Sequence, residues 1–194
     1  MKGPFFPYSD LYLEDQDAYQ TIFNEVSARG AFILQKELED FEKLICDYTG
    51  SNYALGMGNA TDALEIGLIA GGIEKGTEVI ISSHTMIATA SAIVVAGATP
   101  VPIDCGNDHM IDVKKIEPAI TEKTSAIMPT QLNGRVCEMD TIFNIADKYN
   151  LDVYEDSAQA LGAKYKNKTA GTFGIAGCIS FYPAKTMGCF GDGG

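Results

Sequence analysis

No apolar run in these 194 residues approaches the ~20 that a membrane-spanning helix needs. The opening Met1-Lys2-Gly3-Pro4-Phe5-Phe6-Pro7 lacks the apolar core of a secretory signal, so a cytosolic protein is the expectation. Lysine and arginine form no cluster and the net charge is −12, which excludes the basic stripe of a nucleic-acid surface. That acidity also means that any phosphate must be held by local donors rather than by the field of the whole molecule. The five cysteines (Cys46, Cys105, Cys137, Cys178, Cys189) are odd in number and contain no C-x-x-C. Their spacing fits neither a disulfide framework nor a zinc motif and is that of reduced thiols. His84 and His109 are the only histidines and share no metal-ligand spacing. G-x-S-x-G, H-E-x-x-H and G-x-G-x-x-G are all missing, and so is any internal repeat.

What is present is a globular composition, 46% hydrophobic and 21% charged, long enough for one domain or for a large part of a bigger one. Short apolar runs alternate with amphipathic stretches. The runs are Tyr53–Met57, Glu78–Ile81, Thr99–Ile103, Ala126–Pro129, Leu151–Tyr154 and Gly177–Phe181. Helical spacing marks Thr61–Gly71, Ile87–Ala96, Asp112–Ala119 and Met139–Tyr149 between them, as with Ile142, Ile145 and Ala146 on one face. Continuous rather than alternating apolar strands predict a sheet covered on both faces, hence an α/β fold with a mainly parallel sheet. Ahead of it, Tyr12–Ala28 and Leu34–Tyr48 predict two helices, and Gly3–Ser9 reads as an extended arm or a simple loop.

Four constellations can carry chemistry. In Gly56-Met57-Gly58-Asn59-Ala60-Thr61 a glycine-bearing turn opens a helix, which is either a plain capped helix or an anion site made of free N–H groups and the helix dipole. Glu155-Asp156-Ser157-Ala158-Gln159 sets acids past a strand's C-terminal end, where α/β sheets place ligand contacts. A carboxylate there either caps a helix or holds a protonated pyridine nitrogen. In Ser180-Phe181-Tyr182-Pro183-Ala184-Lys185 a lysine follows a buried strand: it is either a surface lysine, the commoner fate, or an amine partly desolvated among apolar neighbours and free for imine formation. In Ser82-Ser83-His84-Thr85-Met86 the histidine is a pocket-wall or core residue, or a catalytic one.

Together, in this order and spacing, these motifs resemble the pyridoxal-phosphate-dependent sugar aminotransferases of the DegT/StrS type. The resemblance runs through Arg29-Gly30-Ala31-Phe32, Phe41-Glu42, Gly58–Leu64, Thr85–Ile93, Gly97–Val101, Pro129–Arg135, Met139-Asp140, Glu155–Gly162, Ser180–Lys185 and Gly191–Gly194. It implies the large domain of the fold type I transferases over residues 1–194, with the N-terminal arm and helices, stopping before a small C-terminal domain. It implies pyridoxal 5'-phosphate as cofactor and Lys185 as the residue that binds it covalently and shuttles the proton. Asp156 would pair with the pyridine nitrogen and Gln159 would reach the phenolic oxygen. Ser180, Ala60 and Thr61 would hold the phosphate, and Met86 would lie against the ring where the family stacks an aromatic side chain.

The implied reaction is a ping-pong transfer of an amino group from an amino acid, by family habit glutamate, to a keto nucleotide-sugar in amino-sugar biosynthesis. Lysine at position 185 argues against the histidine-bearing dehydratases of the same family. A cytoplasmic homodimer with the active site at the subunit interface is implied, its C-terminal half lying on a longer chain or a second polypeptide. Gln131 departs from the family's histidine in Pro-x-His. The rival from another class is a non-catalytic remnant that binds a partner or a phosphorylated ligand without turnover.

Overall fold

The structure, a computed structural model, describes residues 6–194. Three helices lead in: α1 (Tyr8–Glu14), α2 (Gln16–Arg29) and α3 (Lys36–Thr49). Of the arm expected over Gly3–Ser9, residues 3–5 lie outside the described residues, and the chain is already helical at Tyr8. The single helix expected over Tyr12–Ala28 is divided at Asp15, whose backbone (φ −124°, ψ 24°) leaves the helical region. Asp15 makes no side-chain cap bond there; its own N–H closes the first helix by donating to Tyr12 O at 3.3 Å. The apolar spacing runs on across the break and conceals it.

The body is a five-stranded, all-parallel sheet with helices on both faces. In chain order come α4 (Ala60–Ala70), β1 (Glu78–Ser82), α5 (Ile87–Val95) and β2 (Thr99–Ile103). A 3₁₀ turn (Val113–Lys115), α6 (Ile116–Ala119), β3 (Thr124–Met128), α7 (Met139–Tyr149) and β4 (Asp152–Asp156) follow. A small antiparallel hairpin, β5 (Lys164–Tyr165) and β6 (Lys168–Thr169), precedes β7 (Ala176–Cys178). The strand order is β2-β1-β3-β4-β7, and the α/β, mainly parallel architecture expected from the sequence is the one observed. Pro100 and Pro102 lack the N–H that a central strand must donate, and β2 accordingly pairs only with β1, at the edge.

Strand side chains divide strictly by alternation. Val79, Ile81, Ala126, Met128 and Tyr154 pack with Leu64 and Leu68 of α4 and Ala92 and Ile93 of α5. Ile80, Ile127 and Val153 point the other way, onto Ile116 and onto Met139, Ile142 and Ala146 of α7. Each fully buried Leu or Ile contributes roughly 1.5–3 kcal/mol, so the two layers hold the sheet between them. The run Tyr53–Met57, expected as a strand, is extended, but among the described residues only Met57 exchanges ladder bonds. Its N–H donates to Gly194 O at 2.8 Å and its carbonyl accepts from Gly194 N–H at 3.2 Å. One such exchange makes no ladder.

Close backbone crossing brings β7 beside β4. Gly174 has φ +69°, and a Cβ there would lie 2.1 Å from the Val153 carbonyl oxygen, which accepts from Ile175 N–H at 2.8 Å. Gly174→Ala is therefore expected to destabilise the protein by at least about 1–3 kcal/mol, measured as a lower urea midpoint with unchanged slope. An unchanged midpoint would contradict this crossing.

Candidate functional site

Because the five strands are parallel, their C-terminal ends lie along one edge of the sheet, the usual ligand-binding edge of such folds. Onto it come Thr85 and Met86 after β1, Thr130 and Gln131 after β3, Asp156 to Gln159 from β4, and Ser180 after β7. The start of α4 joins them, since Ala60 and Ala158 pack into the cluster that holds Cys178 and Met128.

Asp156 is buried at the last position of β4. Its Oδ2 accepts from the Thr89 hydroxyl at 2.5 Å, and its Oδ1 accepts from Ala158 N–H at 3.2 Å and from the Cys178 thiol at 3.6 Å. Thr89 in turn meets Thr85 Oγ1 at 2.7 Å, which meets Thr130 Oγ1 at 2.8 Å. A hydroxyl carries one proton and an ionised carboxylate only accepts, so the direction of the chain is determined. Thr130 donates to Thr85, Thr85 to Thr89, and Thr89 to Asp156. Such chains polarise one another and lock the carboxylate in one rotamer. The sequence pointed to Asp156 and not to Thr89, because a threonine within Ile87–Val95 reads as one more residue of a buried helix face.

Glu155, the neighbouring acid, does different work. It is fully buried and points to the opposite face of the strand, where Gln131 Nε2 donates to Oε2 at 2.7 Å and Phe173 N–H to Oε1 at 2.5 Å. Gly171 N–H and the Ser157 hydroxyl reach Oε2 at 3.1 and 3.4 Å. Burial raises the Glu155 pKa above its ordinary value, outweighing these bonds, all of which favour the ionised form. Gln131 closes the network by accepting Cys137 N–H at Oε1, 2.7 Å away. Position 131, where the resembling family carries histidine, is thus a buried clamp on Glu155.

At the start of α4, Asn59 is the N-cap: its Oδ1 accepts Asp62 N–H at 2.9 Å. The first intrahelical bond runs from Ala63 N–H to Asn59 O. The N–H groups of Ala60 and Thr61 therefore stand free of protein acceptors among the described residues, at the positive end of an 11-residue helix. Ser180 is buried beyond β7, its Oγ accepting from Tyr182 N–H at 3.3 Å. Gln159 accepts Asn133 N–H at Oε1, 3.3 Å, which leaves its amide NH₂ as the donating end. Met86 is 59% exposed just ahead of α5, with its thioether open to a ligand.

Lys185 is half-buried, in a turn closed by its own N–H donating to Tyr182 O at 2.8 Å, and its amine makes no ion pair among the described residues. The neck of its loop is drawn shut at Phe181, which donates to Gly193 O at 2.9 Å and accepts Cys189 N–H at 2.8 Å. Phe41 of α3 packs edge-on against the Phe181 ring, centroids 5.1 Å apart, while Glu42 accepts Gly56 N–H at 2.8 Å. The lead-in helix thereby fastens to the lysine loop and to the turn before α4. Met86, Asp156, Gln159, Ser180 and Lys185 thus all lie at or after the C-terminal ends of strands, and Ala60 and Thr61 open the helix that packs beside them.

The sequence profile of the DegT/DnrJ/EryC1/StrS aminotransferase family matches residues 14–194. The chain is 39% identical over 192 residues to a dTDP-3-amino-3,4,6-trideoxy-alpha-D-glucose transaminase of Streptomyces venezuelae, covering 98% of this chain and 51% of that protein. It is 44% identical over 179 residues to a dTDP-3-amino-3,6-dideoxy-alpha-D-galactopyranose transaminase of Aneurinibacillus thermoaerophilus, covering 92% and 49%. Among solved structures it superposes on DesV of Streptomyces venezuelae with a TM-score of 0.94 at 39% identity, covering 98% of this chain and 52% of that one. NtdA of Bacillus subtilis, solved with bound cofactor PMP, superposes with a TM-score of 0.91 at 34% identity over 99% and 44%. The chain thus spans about half the length of the curated relatives it matches.

Replacing Glu155 by glutamine turns an acceptor oxygen into an NH₂ group that faces N–H donors. Glu155→Gln is expected to lower stability by about 1–3 kcal/mol for each donor left unpaired. The folded-state pKa lies above the ordinary 4.5. The Glu155 contribution is therefore full below that value and is lost as the pH rises through the folded value. Unfolding measured against pH should show this downward slope in the native protein and not in the variant; equal slopes would remove Glu155 as its source.

Proposed function

Because the chain belongs to the DegT/DnrJ/EryC1/StrS aminotransferase family, we propose that residues 1–194 are the arm, helices and most of the large domain of a pyridoxal-phosphate-dependent sugar aminotransferase. In this reading the whole protein moves an amino group from an amino acid, glutamate, to the keto group of a nucleotide-linked sugar. The observation that carries it is the buried Asp156 carboxylate, held by a directed hydroxyl chain on the same sheet edge as a capped helix with two free N–H groups.

The residues present fit the cofactor. An acceptor locked against rotation suits a pyridine N–H, and free N–H groups at a helix start with a nearby hydroxyl suit a phosphate. When bound, the cofactor supplies an electron sink for negative charge developing at the carbon that bears the amino group. The chain's own residues supply the rest. Asp156 would keep a proton on the ring nitrogen, and Ala60 N–H, Thr61 N–H and the Ser180 hydroxyl would donate to the phosphate. The Gln159 NH₂ would donate to the phenolic oxygen, and the Met86 side chain would pack against the ring. Lys185 Nζ would hold the cofactor covalently and would serve as the proton carrier.

The relatives support a nucleotide-sugar substrate, being named as dTDP-sugar transaminases. A homodimer is supported by exposed apolar side chains: Phe23 on α2, Phe32, Ile33 and Leu34 between α2 and α3, and Phe190 on the lysine loop. A cytoplasmic location accords with the free cysteines, and no described helix is long and apolar enough to cross a membrane.

The test is to incubate the protein with pyridoxal phosphate, reduce it with borohydride and map the modified peptide. A single adduct on Lys185 is expected, and transamination from glutamate to a keto nucleotide-sugar with it. Lys185→Ala should lose the adduct and at least about 10²–10⁴-fold of the rate, the share of a positioned proton carrier. Asp156→Asn should keep the adduct and lose rate. An adduct on another lysine, or full turnover by Lys185→Ala, would sink the reading.

A further inference from the structure

Among the reactive side chains that the site described above does not use, three lie together. His84 stands on the loop after β1, and Cys105 and His109 stand on the loop after the adjacent strand β2. One ring nitrogen of each histidine and the Cys105 sulfur all lie within 4.8 Å of one another. The β2 loop is built to present its pair. A bridge between Cys105 and Ile111 closes its base, Gly106 N–H donates to Met110 O at 2.9 Å, and His109 turns outward at φ +66°.

The His84 ring is oriented as well. Its Nδ1 lies 3.0 Å from the His109 carbonyl oxygen. A carbonyl only accepts, so Nδ1 carries the proton and Nε2 keeps a lone pair. Metal-binding histidines are commonly held this way, with the other ring nitrogen donating to a backbone carbonyl. Nearby acids are occupied in part: Asp104 pairs with Lys115 at 2.7 Å, and Asp108 accepts Met110 N–H at 3.1 Å.

We propose that His84, Cys105 and His109 bind one borderline-soft divalent cation, zinc, with the fourth position left to water. Ligand atoms on one tetrahedral zinc, about 2.0–2.3 Å from the metal, stand roughly 3.3–3.6 Å apart. The three therefore reach it by closing about 1 Å, within the freedom of side chains that are exposed or half-buried. Two imidazoles and a thiol select zinc over magnesium or calcium, which take oxygen ligands. On binding, the Cys105 S–H bond breaks, a zinc–sulfur bond forms and the proton leaves to solvent, so uptake weakens with acid. The metal would tie the loop that carries Met86 to the loop after β2. It stands independently of the cofactor assignment.

The test is equilibrium dialysis of the reduced, tag-free protein against zinc, with bound metal counted by mass spectrometry, and a parallel titration with cobalt. One zinc per chain and a thiolate-to-cobalt charge-transfer absorption are expected. Cys105→Ser and His109→Asn should each weaken zinc at least 10–100-fold and Cys105→Ser should abolish the absorption. Asparagine is chosen at 109 because it tolerates the left-handed backbone, and circular dichroism matching the native protein checks the fold of both. The cobalt spectrum of the native protein decides the role of Cys105 without any variant. No bound zinc, cobalt binding without the thiolate absorption, or zinc retained by both variants would overturn the proposal.

Discussion

A carboxylate sealed in a protein interior must collect donors from wherever the chain can bring them, and Glu155 collects its donors from three separate stretches. Gln131 comes from the loop after β3, Gly171 and Phe173 from the segment ahead of β7, and Ser157 from its own turn. The cost of leaving that charge or its donors unpaired is high enough to hold the three stretches in register. Because successive strand residues face opposite ways, Asp156 is then delivered to the other side, toward Thr89. One acid fastens the sheet edge while its neighbour faces the hydroxyl chain on the other side.

Around that joint the site is assembled from elements distant in the chain. The start of α4 reaches the sheet through Ala60, and α3 reaches the lysine loop through Phe41 and Glu42. Backbone bonds rather than side-chain ion pairs close the lysine loop. Surface ion pairs such as Lys148–Glu117 lie elsewhere, on exposed faces where they contribute little.

Much of this is legible in the sequence where one physical signal dominates. Apolar runs between helical spacings disclosed the covered parallel sheet, and turn residues after those runs disclosed the edge where Asp156, Ser180 and Lys185 stand. The particular parts assigned to Gln159 and Met86 rested on resemblance, since no spacing rule singles out a glutamine or a methionine. Other features depend on contacts that spacing cannot express. The break at Asp15 falls inside continuous apolar periodicity. The hairpin at Lys164–Thr169 has two-residue strands, too short to show alternation, and its turn at Lys166 and Asn167 is marked only by backbone of positive φ. The meeting of His84 with Cys105 and His109 follows from β1 lying beside β2, a matter of strand order and not of sequence distance.

The amide at position 131 has a consequence for how the fold meets acidification. An imidazole in its place would gain a positive charge between about pH 5 and 8, and the joint beneath the ligand edge would stiffen or slacken with each shift in the surrounding medium. Gln131 donates through Nε2 and accepts through Oε1 without ever changing charge. Near neutrality the donor side of this joint is therefore deaf to protons, and any response of the joint to acid falls to Glu155 alone.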